Sequence, residues 1–179
     1  MSASRWTAIA ESQFPWEREA LDWLRAELPD RDPWHAWTNF EFIDDEGKVN
    51  EIDALILSPA GLYLVEIKSR PGVVTGDPHT WTWTTDGREY SYDNPLLLAN
   101  RKAKRLASVL RKQSSVVKSK IRLPFVEPLI FLSSSAIGTT PLNWSIFGRR
   151  QHQKGAELRS RTTQIPNKLN PKPKKCKVW

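Results

Sequence analysis

Two carboxylates and an ammonium are spaced for metal-assisted chemistry in the first half of this chain. Asp53 lies in the apolar run 51–57, and Glu66-Ile67-Lys68 closes a second apolar run over 62–68. Between them stands Ser58-Pro59-Ala60-Gly61, a turn with Pro and Gly where a hairpin turn favours them. Pairing about Pro59-Ala60 joins residues whose numbers add up to about 119, which brings Asp53 opposite Glu66 to within about one residue. Glu66 and Lys68 are two apart and share a sheet face. Hard carboxylate oxygens in such a pair suit Mg²⁺, and a neighbouring ammonium orients or helps deprotonate an attacking water. In a purely structural role Glu66 and Lys68 would be solvated strand residues, and Asp53 would merely end a strand.

The elements that must position these groups follow from the pattern around them. Pro15 opens a helix over about 16–28, with Ala20, Leu21, Trp23, Leu24 and Leu28 on one face, and Pro29-Asp30 stops it. Residues 34–42, rich in aromatic and β-favouring side chains, read as a strand, and 44–48 as a polar turn. Thr80 to Thr85 alternates Thr with Trp and, after Asp86-Gly87, returns through Glu89 to Tyr92 as a second hairpin. Asn94-Pro95 opens a long helix predicted to reach Val117, with Leu96, Ala99, Ala103 and Leu106 in its apolar stripe. Val126 to Leu132 is a short apolar run that fits a buried strand. After Ser133-Ser134-Ser135 the apolar period ends, and residues 136–179 read as a basic, disordered or non-native tail. So abrupt a change also fits a fragment or frameshifted form of a longer protein.

On these residues the chain resembles the nuclease-related domain family, a branch of the PD-(D/E)xK nuclease superfamily. The matching text begins with Trp16-Glu17-Arg18-Glu19-Ala20-Leu21-Asp22-Trp23-Leu24 and Leu28-Pro29-Asp30. It continues through 51–69, then Gly72, Trp81 and Asn94-Pro95-Leu96, and ends in the Ala-rich basic helix. The resemblance covers roughly residues 10–135. It implies an α/β fold with a restriction-endonuclease-like core, a central mixed sheet flanked by helices. It also implies cleavage of nucleic acid dependent on Mg²⁺ or Mn²⁺. By the resemblance Asp53 and Glu66 are the principal metal ligands, the backbone carbonyl of Ile67 is a further ligand, and Lys68 is the catalytic lysine. Glu17 would be the helix-borne carboxylate facing the metal; read from the residues alone, it is an exposed helix residue with Glu19 as its rival. The chain departs from the family at Leu98, where many members carry Gln. In the stretch 94–103 it looks most like the domains that open large phage-defence kinases, which implies fusion to, or work beside, a kinase or other defence proteins.

The long helix and its extension carry Arg101, Lys102, Lys104, Arg105, Arg111 and Lys112, with no acid between Asp93 and Glu127. As a phosphate-contacting surface these would make nucleic-acid binding steeply salt-dependent; as a solvated face they would simply favour the helix. Trp81 and Trp83 are placed either to stack on bases or to pack against the sheet. The overall charge of +7 is a poor guide. Residues 1–100 hold 8 basic and 18 acidic side chains, 101–135 hold 9 and 1, and 136–179 hold 10 and 1. The tail alone makes the chain basic. A lone Cys176 excludes a disulfide framework and a Cys-based zinc site, and His35, His79 and His152 form no ligand pair. No stretch approaches a membrane span, so a cytoplasmic protein without a membrane partner is expected. The reading is a metal-dependent nuclease domain acting on DNA. The alternative is a nucleic-acid-binding or docking module that keeps the fold with little or no catalysis.

Overall fold

The hairpin about Pro59-Ala60 forms the middle of the protein. In the computed structural model, which describes residues 5–69, 72–120, 122–134, 143–148 and 161–162, its arms are β3 (Val49–Ser58) and β4 (Gly61–Ser69). They pair antiparallel with Ala54 opposite Val65 and Ser58 opposite Gly61, the register anticipated from the turn. Strand β2 (His35–Ile43) lies antiparallel on the other side of β3, and the three-residue β1 (Trp6–Ala8) runs parallel to β2 at the edge. Beyond β4, strand β8 (Val126–Ser134) pairs parallel to it. Strands β9 (Asn143–Gly148) and β10 (Arg161–Thr162) extend that side, giving the order β1-β2-β3-β4-β8-β9-β10. The sheet is therefore mixed. The expected disordered tail over 136–179 lies outside the described residues except for these last two strands.

Two helices cover the two faces. Helix α1 (Pro15–Glu27) has Pro15 in its first turn, where the missing N–H costs nothing. It buries Ala20, Leu21 and Leu24 against Ala36, Ala54, Ile56, Val65, Ile67 and Phe131. Helix α2 (Pro95–Lys112) buries Leu96, Ala99, Ala103 and Leu106 against Leu55, Leu62, Leu64, Ile130 and Leu132 on the opposite face. Its start is fastened by Asn94, which is 2% exposed. The Asn94 Oδ1 accepts the Leu96 N–H at 2.9 Å, and its amide donates to the Asp77 and Pro78 carbonyls at 3.2 and 3.3 Å. The Asn-Pro pair thus anchors the helix to the preceding loop as well as capping it.

That loop belongs to a small antiparallel sheet of β5 (Val73–Gly76), β6 (Thr80–Thr85) and β7 (Arg88–Asp93). Trp81 and Trp83 are 7% and 8% exposed and pack in the core under α2, so of their two readings the packing one holds. The long helix ends sooner than its sequence suggests. Gln113 is extended, and a separate short helix α3 (Ser114–Ser119) follows. The break falls at Gln113 itself, since Ser114, Ser115, Val116 and Val117 are all helical within α3.

Candidate metal and nucleic-acid site

The regular sheet is interrupted at Asp53. In β3, Leu55 faces α2 while Ala54 and Ile56 face α1, as period-two alternation requires. Ile52 should then face α1, yet it lies in the α2 core. The same slip occurs in β2, where Trp37 packs on the α2 side and so do Phe40 and Phe42, while Ala36 faces α1. Both slips fall at one level: Thr38 pairs with Ala54 and Phe40 with Ile52, with no pair between Asn39 and Asp53. Asn39 has a left-handed backbone (φ 52°), a conformation that Asn tolerates best among side-chain-bearing residues, and its amide donates to the Ala10 carbonyl at 3.1 Å. The β3–β4 ladder also lapses here, since its last pair toward the site is Ala54 with Val65. In place of the next rung, the Asp53 Oδ2 accepts the Ile67 N–H at 2.6 Å. The carboxylate bridges two strands that have begun to part.

Glu66 projects into the same region from β4. It is 5% exposed and both its oxygens are engaged. The Lys68 ammonium donates to Oε1 and the Lys102 ammonium to Oε2, each at 2.9 Å. Glu66 and Lys68 thus share the α2 face, as their spacing requires. Burial pushes the Glu66 carboxyl up, but the Lys68 charge and the hydrogen bonds from Lys102 and Lys68 outweigh it and hold the group below the usual carboxylate range. Asp53 is in the opposite condition. Burial first, and then the Glu66 charge, push it up to about 7, against the pull of the Ile67 N–H; Glu17 adds to the rise and Lys68 partly relieves it. A carboxyl so raised beside a second, ionised carboxylate is a pair that a divalent cation would relieve, so the donor set fits a hard cation.

Glu17, in the first turn of α1, is half-buried, and its charge reaches Asp53; the rival Glu19 is exposed. Among the described residues no three Asp, Glu, His or Cys side chains draw together closely enough to form an all-protein cage. Mg²⁺ sites commonly need only one or two carboxylates, with water and substrate phosphate completing the shell.

The basic helix residues separate into two groups. Lys102 lies in the site, and its side chain is 13% exposed. Arg105 reaches the buried Asp44 at 3.2 Å and the Asn50 Oδ1 at 3.1 Å, and Lys112 pairs with Asp45 at 2.7 Å. These three are engaged within the domain, whereas Arg101, Lys104 and Arg111 are exposed on the outer face of α2. The part of Lys102 in the site had not been anticipated. Its signal lay in the helix phase: with Ala99 and Ala103 at the buried centre, Leu98, Lys102 and Arg105 follow at i, i+4 and i+7 along one flank of the stripe. Leu98 stands one turn before Lys102 on that flank and is 43% exposed.

Comparison with known proteins bears on this arrangement. Residues 12–133 match the family model described as the nuclease-related domain. The chain is 48% identical over 111 residues to the probable kinase PglW of Streptomyces coelicolor (strain ATCC BAA-471 / A3(2) / M145), an alignment covering 62% of this chain and 7% of that protein. The chain therefore spans less than a tenth of the length of this relative. No solved structure matches it. No helix among the described residues is long and apolar enough to cross a membrane.

Proposed function

This chain belongs to the nuclease-related domain family, and from that premise we propose that it hydrolyses phosphodiester bonds in DNA with the help of a divalent cation. The observation that carries this reading is the meeting of Asp53, Glu66 and Lys68 where the sheet is interrupted. Asp53 and Glu66, with the Ile67 carbonyl, would hold Mg²⁺ or Mn²⁺, and Glu17 would add negative charge from the α1 side. Bound there, the ion supplies Lewis acidity to the scissile phosphate and to water. Lys68 is 40% exposed at its side chain and so is able to leave Glu66 and direct its N–H groups toward an attacking water. The water oxygen then bonds to phosphorus and gives up a proton to solvent as the bond to the leaving sugar oxygen breaks, and the leaving oxygen takes up a proton from solvent. Exposed Arg101, Lys104 and Arg111 would lie along the nucleic-acid backbone.

Purified protein with supercoiled plasmid and Mg²⁺ tests this. Cleavage is expected for the wild type and is expected to vanish with EDTA and in Asp53→Ala and Lys68→Ala. Cleavage that persists in either variant contradicts the assigned site. A second reading, a binding or docking module without catalysis, draws on Leu98 in place of the family's Gln and on the engagement of both Glu66 oxygens by lysine. DNA binding indifferent to Mg²⁺ and Mn²⁺, without cleavage, is its signature. On either reading, the likeness to a small part of a probable kinase supports a module that works within, or beside, a much larger protein.

A further inference from the structure

Glu66 is unusual in having an ammonium on each oxygen, and the two lysines are not equivalent. The Lys68 side chain is 40% exposed and stands on the same strand as Glu66, so it can swing away with its stem in solvent. The Lys102 side chain is 13% exposed and is fixed by a helix whose next residue, Ala103, is 1% exposed in the core. Two carboxylates, Asp53 and Glu66, therefore face two ammonium groups, and among the described residues the half-buried Glu17 adds a further negative charge. The two ammonium groups cancel most of the negative charge that the two carboxylates offer, and a fixed positive charge next to a ligand oxygen repels an incoming dication.

We propose that Lys102 is a built-in counter-cation of the site: it keeps one Glu66 oxygen permanently occupied and holds divalent-ion binding weak until a nucleic-acid phosphate adds its negative charge. The proposal rests on the metal-centre reading given above and makes Lys102 a positioning residue, not a catalytic one. It also assigns the two lysines different fates, with Lys68 released toward the reaction and Lys102 retained on Glu66.

The test is a Mn²⁺ titration of the full chain, with free Mn²⁺ followed by electron paramagnetic resonance. Lys102→Met keeps the length and apolar stem but removes the charge, and Lys102→Arg keeps the charge. Without nucleic acid, Lys102→Met is expected to bind Mn²⁺ about tenfold more tightly than the wild type, about 1.4 kcal/mol, while Lys102→Arg stays close to the wild type. A phosphorothioate oligonucleotide is expected to tighten Mn²⁺ binding by the wild type. Asp53→Asn, alone and combined with Lys102→Met, marks the site. Unchanged or weaker Mn²⁺ binding by Lys102→Met, with binding still lost in Asp53→Asn, overturns the proposal and leaves the metal centre standing. An oligonucleotide without effect on wild-type affinity likewise overturns it. Mn²⁺ binding indifferent to Asp53→Asn in both backgrounds overturns the metal-centre reading, and the part given to Lys102 falls with it. Loss of packing would not tighten metal binding, and circular dichroism of each variant confirms that it is folded.

Discussion

Replacing Asp53 by Asn is expected to stabilise the protein above neutral pH. The Asp53 carboxyl is raised from 3.8 to about 7, chiefly by burial and then by the Glu66 charge. The native state therefore keeps a proton that the unfolded chain has already released between about pH 4 and pH 7. Stability from this group is fully present below about pH 4 and is lost as the pH rises through about 7. A shift of that size corresponds to at most about 4 kcal/mol. Asp53 is only half-buried, and solvent screens part of the effect, so about 2 kcal/mol is the expected loss. Asn cannot ionise, and its side-chain oxygen still accepts the Ile67 N–H. Urea unfolding in EDTA, followed by tryptophan fluorescence at half-unit steps from pH 5 to pH 8, measures the difference. Glu66, whose carboxyl is held low, stays ionised across this window and contributes no slope there. The wild type should weaken up to about pH 7 and then level off, and Asp53→Asn should weaken much less, with the gap between the two curves narrowing toward the acid end. Adding Mg²⁺ at pH 8 should restore the wild type and leave Asp53→Asn unmoved, because only a native state that binds the ion gains from it. A wild-type curve that is flat or rising from pH 5 to pH 8, or a variant less stable at pH 8, would refute the reasoning.

Other outcomes follow from groups away from Asp53. Asn94→Ala removes a buried cap and strands the Leu96 N–H and two loop carbonyls, so a loss of about 2–3 kcal/mol is expected in the same urea assay. Arg101→Ala with Lys104→Ala should weaken DNA binding and lower the slope of log affinity against log salt by about one for each phosphate no longer neutralised. Lys112→Ala, whose partner is Asp45, should leave that slope nearly unchanged, as fluorescence anisotropy across a salt series would show.

What could be read in advance depended on local chemistry. Pro59-Ala60 sets the hairpin turn, and the turn alone fixes Ala54 against Val65, so the approach of Asp53 to Glu66 followed from counting. Pro15 and Asn94-Pro95 mark where the two covering helices begin. The interruption at Asn39 and Asp53 was not legible. Alternation gives no warning of a paired slip in two strands, because Ile52 and Phe40 are apolar and suit either face. Lys102 was read as part of a charged surface, since a lysine's destination depends on what stands across from it and Glu66 is 36 residues away in the chain. The partners of Arg105 and Lys112 are hidden from the sequence for the same reason: Asp44 and Asp45 come from the turn between β2 and β3. Strand β1, only three residues long, carries too little pattern to be recognised, and it is held by its parallel pairing to β2.

The central claim is that Asp53 and Glu66 form one cation site, and the location of the ion bears on it most directly. Crystals grown with excess Mn²⁺ and a phosphorothioate oligonucleotide, measured for anomalous scattering, should show a peak between the two carboxylates, with Lys68 moved off Glu66 and Lys102 still on it. A peak elsewhere, or none with both lysines still on Glu66, would contradict the account.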